Sequence, residues 1–260
     1  MLLRRITKHV KDQNWFAVGI DFFIVVFGVF IGIQVSNWND VRTLNGQSEV
    51  FTESLKSDLR VEAWNYHYLI EYFDDVQTSG KRALKALTSK SQFSDEALLI
   101  NAYRATQTLV NVRTRSTFDE LTSTGNIALI RDDKLLDAAI WIYNDPTFED
   151  IITERNNAQY RQLFRKIIPL EVQDALLENC GDRIVVTGDY ENIIDSLDYD
   201  CETDLPPALL AEAANALRME VSIIPLLRLR MANVKTYTTN FTVFNLETRQ
   251  TLDALTTRIN

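Results

Sequence analysis

Histidine is scarce in this chain of 260 residues, which contains only His9 and His67. A histidine-rich metal site needs at least two imidazoles close together, and a long apolar segment separates these two. The Glu-x-x-His signature of di-iron helical bundles is absent as well, because Trp64 stands three residues before His67. We therefore expect neither a histidine metal centre nor a Ser-His-Asp triad, and we interpret His67 as a partly buried helix residue.

The sequence also lacks the glycine patterns of nucleotide and hydrolase sites. None of its 8 glycines falls in a phosphate loop, a dinucleotide fingerprint or a G-x-S-x-G elbow. Neighbouring carboxylates such as Asp132 and Asp133 diverge by about 100° on a helix and cannot face one reacting atom. Acids crowd between Asp182 and Asp204, which leaves calcium open as an alternative, but their spacing matches no EF-hand loop. We expect no enzyme activity, cofactor or metal.

Glycine and proline are few, at 8 and 5 residues, whereas 46% of the residues are hydrophobic. This composition argues against disorder and against a loop-rich β-sandwich. It favours an all-α protein whose main part, about 220 residues, suffices for one domain with its own core.

Basic residues are outnumbered, with 27 Lys and Arg against 36 Asp and Glu and a net charge of −9. Residues 1–14 carry +3, residues 15–40 carry −2, and residues 41–260 therefore carry −10. Binding to a phosphate backbone needs clustered Lys and Arg, which an acidic body does not offer. Nucleic acid is thus excluded as an expected partner.

What the sequence does contain is one long apolar run, from Trp15 to Trp38. With a rise of about 1.5 Å per residue, a helix over this run spans about 30 Å or slightly more, which matches the hydrocarbon core of a bilayer. Trp15 and Trp38 stand where interfacial aromatic anchors belong. We predict a transmembrane helix over residues 15–38.

The flanks of this run predict its orientation. Four basic residues precede it, whereas the other flank offers only Arg42. By the positive-inside rule, residues 1–14 form a cytoplasmic, basic, amphipathic lead-in and residues 39–260 lie on the far side of the membrane. A cleaved signal peptide is the alternative, but the apolar core exceeds the usual ~7–15 residues and no A-x-A-like site follows it. The four membrane-interface residues of the lead-in are Arg4, Arg5, Lys8 and Lys11.

One acidic residue, Asp21, lies within the apolar run, where an ionised carboxylate is costly. Helical steps of seven, four and three residues lead from it to Gly28, Gly32 and Val35, so all four share one face. The two glycines let a second helix approach closely, and that contact would shield Asp21 from lipid. We predict oligomerisation through this face. The alternative is that Asp21 snorkels or is protonated while the glycines merely face lipid.

The two cysteines, Cys180 and Cys201, bracket a polar, acidic insert. We predict a disulfide between them, which would suit an exported domain and would stabilise it by about 3 kcal/mol. Two buried thiols are the alternative.

Periodic apolar positions predict helices throughout residues 39–260. A long amphipathic helix runs from Leu44 to Leu87, with Gly80 as a point where it could be interrupted. One helix is predicted from Thr147 to Ile168, and a final long helix from Ser222 to the end. The two longest helices would pair antiparallel within a bundle. Arg183–Thr187 is the only β-like run and is too short to found a sheet.

Particular residues mark the helix ends and the core. Three N-caps are predicted: Ser94, either Ser116 or Thr117, and Asp132. Gly125 is predicted as a C-cap, and helices should break at Pro146 and Pro169. Another helix should start at Pro206 and Pro207. The aromatic residues interpreted as core are Trp64, Tyr66, Phe73, Tyr237, Phe241 and Phe244, joined on the last helix by Leu227, Val234, Leu252, Leu255 and Ile259.

Two blocks of the sequence resemble a bacterial family known only as a domain of unknown function, with an N-terminal anchor and a helical exported region. The blocks are KDQNWFAVGIDFFIVVFGVFIGIQVSNWND and STFDELTSTGNIALIRDDKLLDAAIWIYN, residues 11–40 and 116–144. The resemblance implies an envelope protein of Gram-negative bacteria. It implies no activity, cofactor or functional residue.

These observations favour a non-enzymatic, single-pass inner-membrane protein that acts through helix–helix and bundle contacts as an accessory or scaffold subunit of an envelope complex. Its expected partners are membrane lipid and other membrane or periplasmic proteins, in a homo- or hetero-oligomer. One alternative is an ion-coupled or signal-relaying subunit that uses Asp21, and another is a periplasmic ligand sensor.

Overall fold

The structure, a computed structural model, describes residues 15–89, 93–109, 112–197, 199–244 and 250–254. All regular elements within these ranges are helical, and no strand occurs among them. The prediction of an all-α protein is confirmed. The β-like run Arg183–Thr187 is irregular chain that ends in a turn.

Ten α-helices follow one another in the described ranges. They are α1 (Trp15–Thr88), α2 (Asp95–Arg104), α3 (Ser116–Ser123), α4 (Asp133–Tyr143), α5 (Thr147–Asn157), α6 (Gln159–Ile167), α7 (Leu170–Cys180), α8 (Ile193–Leu197), α9 (Pro207–Met219) and α10 (Ile223–Thr239). A 3-10 turn, Ile127–Leu129, follows α3, and a π-helical turn, Asn240–Phe244, follows α10. Residues 250–254 are again helical.

The chain divides into two compact units, residues 1–53 and residues 54–260. In the first unit, the described residues belong to α1. The large apolar side chains between Ile20 and Val35 are 44–67% exposed there. Among the described residues, this is the one helix long and apolar enough to cross a membrane. The lead-in residues Arg4, Arg5, Lys8 and Lys11 and the side chain of Trp15 lie outside the described part of the chain.

In the second unit, α1 and α10 pair antiparallel. Tyr66 contacts Phe241 with ring centroids 4.7 Å apart. About two turns later along α1, Phe73 contacts Tyr237 with ring centroids 5.7 Å apart. Further along α1, Gly80 faces Met231. In these three contacts, residue numbers increase along α1 while they decrease along α10 and the turn after it. The two helices therefore run in opposite directions.

Helix α1 continues through Gly80, which the sequence analysis named as a point where the helix could be interrupted. A Cβ atom at this position would lie 2.0 Å from the Met231 sulfur, so the missing side chain makes room for α10. Glycine here serves a close helix contact and not a helix end.

The predicted helix ends are largely confirmed. The Ser94 hydroxyl accepts a hydrogen bond from the Ala97 amide at 3.0 Å, and the Asp132 carboxylate caps α4. Pro206 precedes α9, with Pro207 as its first residue. Arg115, and not Ser116 or Thr117, is the residue before α3, and its side chain makes no capping bond.

Gly125 closes α3 as predicted. It has φ +74°, the left-handed conformation that glycine adopts at low cost. The Asn126 amide donates to the Leu121 carbonyl at 2.8 Å, and the Gly125 amide donates to the Thr122 carbonyl at 3.3 Å. These two bonds form a Schellman motif, which satisfies the last carbonyls of the helix.

The prediction of one helix from Thr147 to Ile168 is wrong. Ala158, with ψ 99°, separates α5 from α6. The break allows Tyr160 to enter the core, where it is 2% exposed and its hydroxyl donates to the Ala102 carbonyl at 2.9 Å. Tertiary packing thus outweighs helix continuity, although neither Gly nor Pro marks the place. Pro169 separates α6 from α7 as predicted.

The α-helical part of the predicted final helix ends at Thr239 and passes into the π-helical turn Asn240–Phe244, and residues 250–254 are α-helical again. Pro225 lies in its first turn, as expected. Most of the predicted core residues are buried: Trp64, Tyr66, Phe73, Leu227, Val234, Tyr237, Phe241 and Leu252. The side chain of Phe244, and Leu255 and Ile259, lie outside the described residues.

Candidate functional site

The predicted membrane face of α1 is open in the structure. Asp21 and Val35 are exposed, and a Cβ atom built on Gly28 or Gly32 would meet no other atom within 4 Å. Trp38, the second predicted anchor, is exposed as well. No described residue therefore occupies the space that a neighbouring helix would need at the glycines. Oligomerisation through this face stays a prediction.

The sulfur atoms of Cys180 and Cys201 lie 2.12 Å apart, at disulfide distance, with their Cα atoms 5.5 Å apart. The two cysteines are therefore close enough to form the predicted disulfide. Cys180 is buried at the end of α7, whereas Cys201 is half-buried. The bond closes the insert of residues 180–201 into a loop that begins and ends at the same place.

This insert contacts α1 through three aromatic residues of the helix. The Trp64 indole donates to the Asp189 carbonyl at 3.1 Å, and the His67 ring lies 5.6 Å from the Tyr190 ring. The Tyr72 hydroxyl donates to the Asp182 carboxylate at 2.9 Å. His67 is half-buried in this contact, as interpreted from the sequence. The acidic insert is thus fixed to the domain core along α1.

Asp182 is the acid of the insert that accepts the Tyr72 hydrogen bond from α1; as a residue it is exposed, while the bond itself is partly buried. Burial raises the pKa of its carboxyl above the ordinary value, although the Tyr72 hydrogen bond and the charges of Arg161 and Arg104 act in the opposite direction. The same contact and burial raise the pKa of Tyr72 well above its usual range. The cavity beside them, of about 20 Å³, has room for about one water molecule. This cluster therefore suits a structural role better than the binding of a ligand.

A second cluster is centred on a buried acid, Glu62 on α1, which holds the segment that precedes α3. It accepts hydrogen bonds from Arg113 Nε at 2.6 Å and from the Thr114 amide at 2.7 Å. Arg113 also donates to the Ile142 carbonyl at 2.7 Å and stacks over the Phe148 ring. Both oxygens of Glu62 are thereby satisfied, as a buried carboxylate requires.

A third cluster is centred on Arg230 of α10, which is 2% exposed. It forms an ion pair with Glu154 of α5 at 2.9 Å and donates to the Gln107 carbonyl at 2.6 Å. Tyr237 and Asn233, which follow Arg230 on the same face of α10, also donate to Glu154. Arg230 thereby ties α5 and the chain after α2 to α10.

An open groove of about 110 Å³ lies beside this third cluster, at the break between α5 and α6. Glu154 is the carboxylate among the residues that line it, and Arg230, Asn233 and Tyr237 already engage that carboxylate. General acid–base catalysis by paired carboxylates would need a second acid facing the same space. Among the described residues, no group of three or more His, Cys, Asp or Glu could hold a metal ion.

Sequence reasoning missed all three clusters. The signal for Arg230 was present, since it lies in the apolar stripe of the last helix, between Leu227 and Val234. A charged residue in such a stripe is either exposed at its edge or paired in the core. The signal for Asp182 was absent, because many other acids surround it in the insert.

No family model matches the chain, and no curated protein and no solved structure matches it either. The chain is therefore described by three features of its own structure. These are a helical second unit, an exposed apolar helix segment that precedes it in the sequence, and a cysteine pair at disulfide distance.

Proposed function

We propose that this chain is a single-pass inner-membrane protein of the bacterial envelope, with its N-terminus in the cytoplasm and its helical domain in the periplasm. It acts without catalysis, as an accessory or scaffold subunit that contacts other envelope proteins. The observation that carries the proposal is the continuous apolar surface between Ile20 and Val35, which no described residue covers. Water is a poor solvent for such a surface, and lipid is a good one.

Charge and cysteine chemistry support the orientation. The net charge of +3 on residues 1–14 favours the cytoplasmic side. A disulfide persists in an oxidising compartment such as the periplasm and is rare in the bacterial cytoplasm. Both observations support the same orientation, with residues 1–14 on the cytoplasmic side and the helical domain on the periplasmic side.

A role in protein contacts is supported by the exposed Asp21, Gly28 and Gly32 and by the nature of the three side-chain clusters. Each of the three clusters joins separate parts of the domain, and the carboxylates of Asp182, Glu62 and Glu154 all have partners within it. Side chains engaged in this way hold the domain together and leave its outer surface for partners.

Labelling of single cysteines tests the topology. Val221 is 87% exposed, so Val221→Cys in the Cys180→Ser, Cys201→Ser background should react with a membrane-impermeant maleimide once the outer membrane is opened. Leu3→Cys in the same background should react only after the inner membrane is opened as well. The reverse pattern, or release of the protein from membranes by alkaline carbonate, would contradict the proposal.

Purification in a mild detergent followed by native mass measurement tests the scaffold role. We expect a complex whose mass exceeds that of one chain and whose partners include other envelope proteins. A lone monomer in both detergent and lipid nanodiscs would contradict it.

A further inference from the structure

Helix α4 presents an apolar surface to solvent. Its inner face is buried through Leu135, Ala138 and Ile142, while Trp141 on the outer face is 64% exposed and Ile140 is 42% exposed. A groove of about 260 Å³ lies at this end of the helix, and its lining is mostly apolar. The residues that line it are Ile140, Trp141, Asn144, Asp145 and Pro146.

The exposure of Trp141 is notable within the second unit. Trp64, in the same unit, is only 4% exposed. Isolated exposed aliphatic residues are common on protein surfaces, but a tryptophan beside an isoleucine and a proline at a groove has the composition of an interface centre. Tryptophan is among the residues that contribute most to binding at such centres.

Charge around the groove indicates which partner fits it. From Asp132 to Glu154 the chain contains seven acidic residues and one basic residue, Lys134. Asp145 lines the groove, and Asp137 stands one helical turn before Trp141 on the same exposed face. The groove lies at the carboxyl end of α4.

The two basic side chains near this end of α4 are already engaged. Arg113 forms an ion pair with the buried Glu62 at 2.6 Å. Arg115 forms one with Asp119 at 2.9 Å, within its own helix region. Both also donate to the last carbonyls of α4, Arg113 to Ile142 at 2.7 Å and Arg115 to Tyr143 at 3.5 Å. They therefore cap this helix end, but because each is paired with an acid they leave the charge around the groove acidic.

We propose that this groove docks a basic segment of a partner protein, with an arginine or lysine over the Trp141 ring and an apolar side chain against Ile140 and Pro146. A cation over an indole face is attracted by the ring, and the acids at the rim add to that attraction. An anionic lipid surface or a second acidic copy of this chain would be repelled. The inference rests on the proposed function, because it gives the chemistry of one of the expected protein contacts.

Binding can be measured on the full chain in nanodiscs of zwitterionic lipid. The probe is a short fluorescent peptide in which arginine and leucine alternate, followed by anisotropy. Trp141→Ala should weaken its binding about tenfold or more, and Asp137→Asn about threefold at low salt. Trp141→Phe, which keeps a ring, should retain most of the affinity. The affinity should fall as salt rises.

Helix α7 offers a matched control, since Asp174 and Leu177 are exposed on one of its faces and Leu177 is as exposed as Trp141. Asp174→Asn and Leu177→Ala should leave binding unchanged. Three results would overturn the inference: equal binding by Trp141→Ala, equal binding of a peptide with glutamate in place of arginine, or a Trp141-dependent self-association or binding to anionic vesicles. Because the chain is tested in its membrane form, failure here leaves the topology and complex-mass experiments to judge the proposed function separately.

Discussion

The sulfur of Met231 occupies the space in which a side chain at Gly80 would lie, only 2.0 Å from the position of its Cβ atom. This contact sets how closely α10 can approach α1. The Gln77 side chain, one turn earlier, donates to the Met231 carbonyl at 3.5 Å in the same place. The pairing of the two helices therefore depends on a residue that a helix would otherwise tolerate poorly.

Gly80→Ala should destabilise the domain by about 1–3 kcal/mol, because the methyl group overpacks the contact with Met231. This loss outweighs the gain of about 0.5–1 kcal/mol that alanine brings to a helix interior. Chemical denaturation of the full chain in detergent measures the change.

Gly46→Ala is the control for this prediction, since Gly46 is also in α1 and a Cβ atom there would meet nothing within 4 Å. It should leave the domain as stable as before or slightly more stable. If both variants shifted the midpoint equally, the close contact at Gly80 would not be the cause.

Glu62→Ala should cost about 3–5 kcal/mol, because it leaves the Arg113 guanidinium and the Thr114 amide without their acceptor in a buried place. Removing Asp119, whose ion pair with Arg115 is exposed, should cost less than about 1 kcal/mol. Thermal unfolding of the two variants under identical conditions compares them. Similar losses for both would show that Glu62 is not the buried anchor described above.

Asp182 predicts a pH dependence of a particular sign. The pKa of its carboxyl is raised in the folded domain, so the protonated form is favoured there. Its contribution is fully present below the unfolded value of about 3.9 and is lost as the pH rises through the folded pKa. Wild type should therefore lose stability relative to Asp182→Asn as the pH rises above about 4.

Unfolding midpoints measured across this pH range, with Asp174→Asn as the control, test that prediction. Asp174 is exposed and not engaged in the insert. The difference between wild type and Asp182→Asn should grow as the pH rises, and the difference for Asp174→Asn should stay nearly flat. A difference that shrank with rising pH would have the wrong sign for an acid whose pKa is raised in the folded domain.

The cysteine pair should stabilise the domain through the unfolded chain. The two residues are 21 positions apart, and closing a loop of this size contributes about 3 kcal/mol. Replacing both cysteines by serine should lower the free energy of unfolding by about that amount. A dithiol reductant should have the same effect on wild type and none on the double variant. An unchanged denaturation midpoint in reduced wild type would contradict the prediction.

Local signals in the sequence were sufficient for much of the fold. Ser94, Asp132 and Gly125 act on backbone groups within a few residues, so their roles can be read without knowledge of the partner helices. The pairing of α1 with α10 followed from the length and apolar stripes of the two helices.

Features that depend on distant residues could not be predicted in this way. The break at Ala158 exists because Tyr160 is buried against Ala102, and nothing near Ala158 in the sequence signals it. Asp182 is one acid among many in the insert until Tyr72 is placed opposite it. Burial of a polar side chain is a property of the assembled core, whereas helix ends are properties of short segments.

The exposed face of α1 allows the assembly proposal to be tested against its alternative. Gly28→Leu and Gly32→Leu would fill the space that a second helix needs, so the mass of the complex in mild detergent should fall. Asp21→Asn keeps the size of the side chain and can still form a hydrogen bond within a helix contact. It should therefore preserve the complex if Asp21 supports assembly mainly by hydrogen bonding.

Gly19→Leu is the matched control for these variants. Gly19 and Gly28 are nine positions apart, so they lie on opposite sides of the helix, and a Cβ atom built on either meets nothing within 4 Å. The added side chain has the same size in both. If Gly19→Leu reduced the mass of the complex as much as Gly28→Leu, assembly would not depend on the face of Asp21. If Asp21→Asn left the complex intact but abolished an ion-dependent activity of that complex, the carboxylate would carry the ion, as the alternative holds.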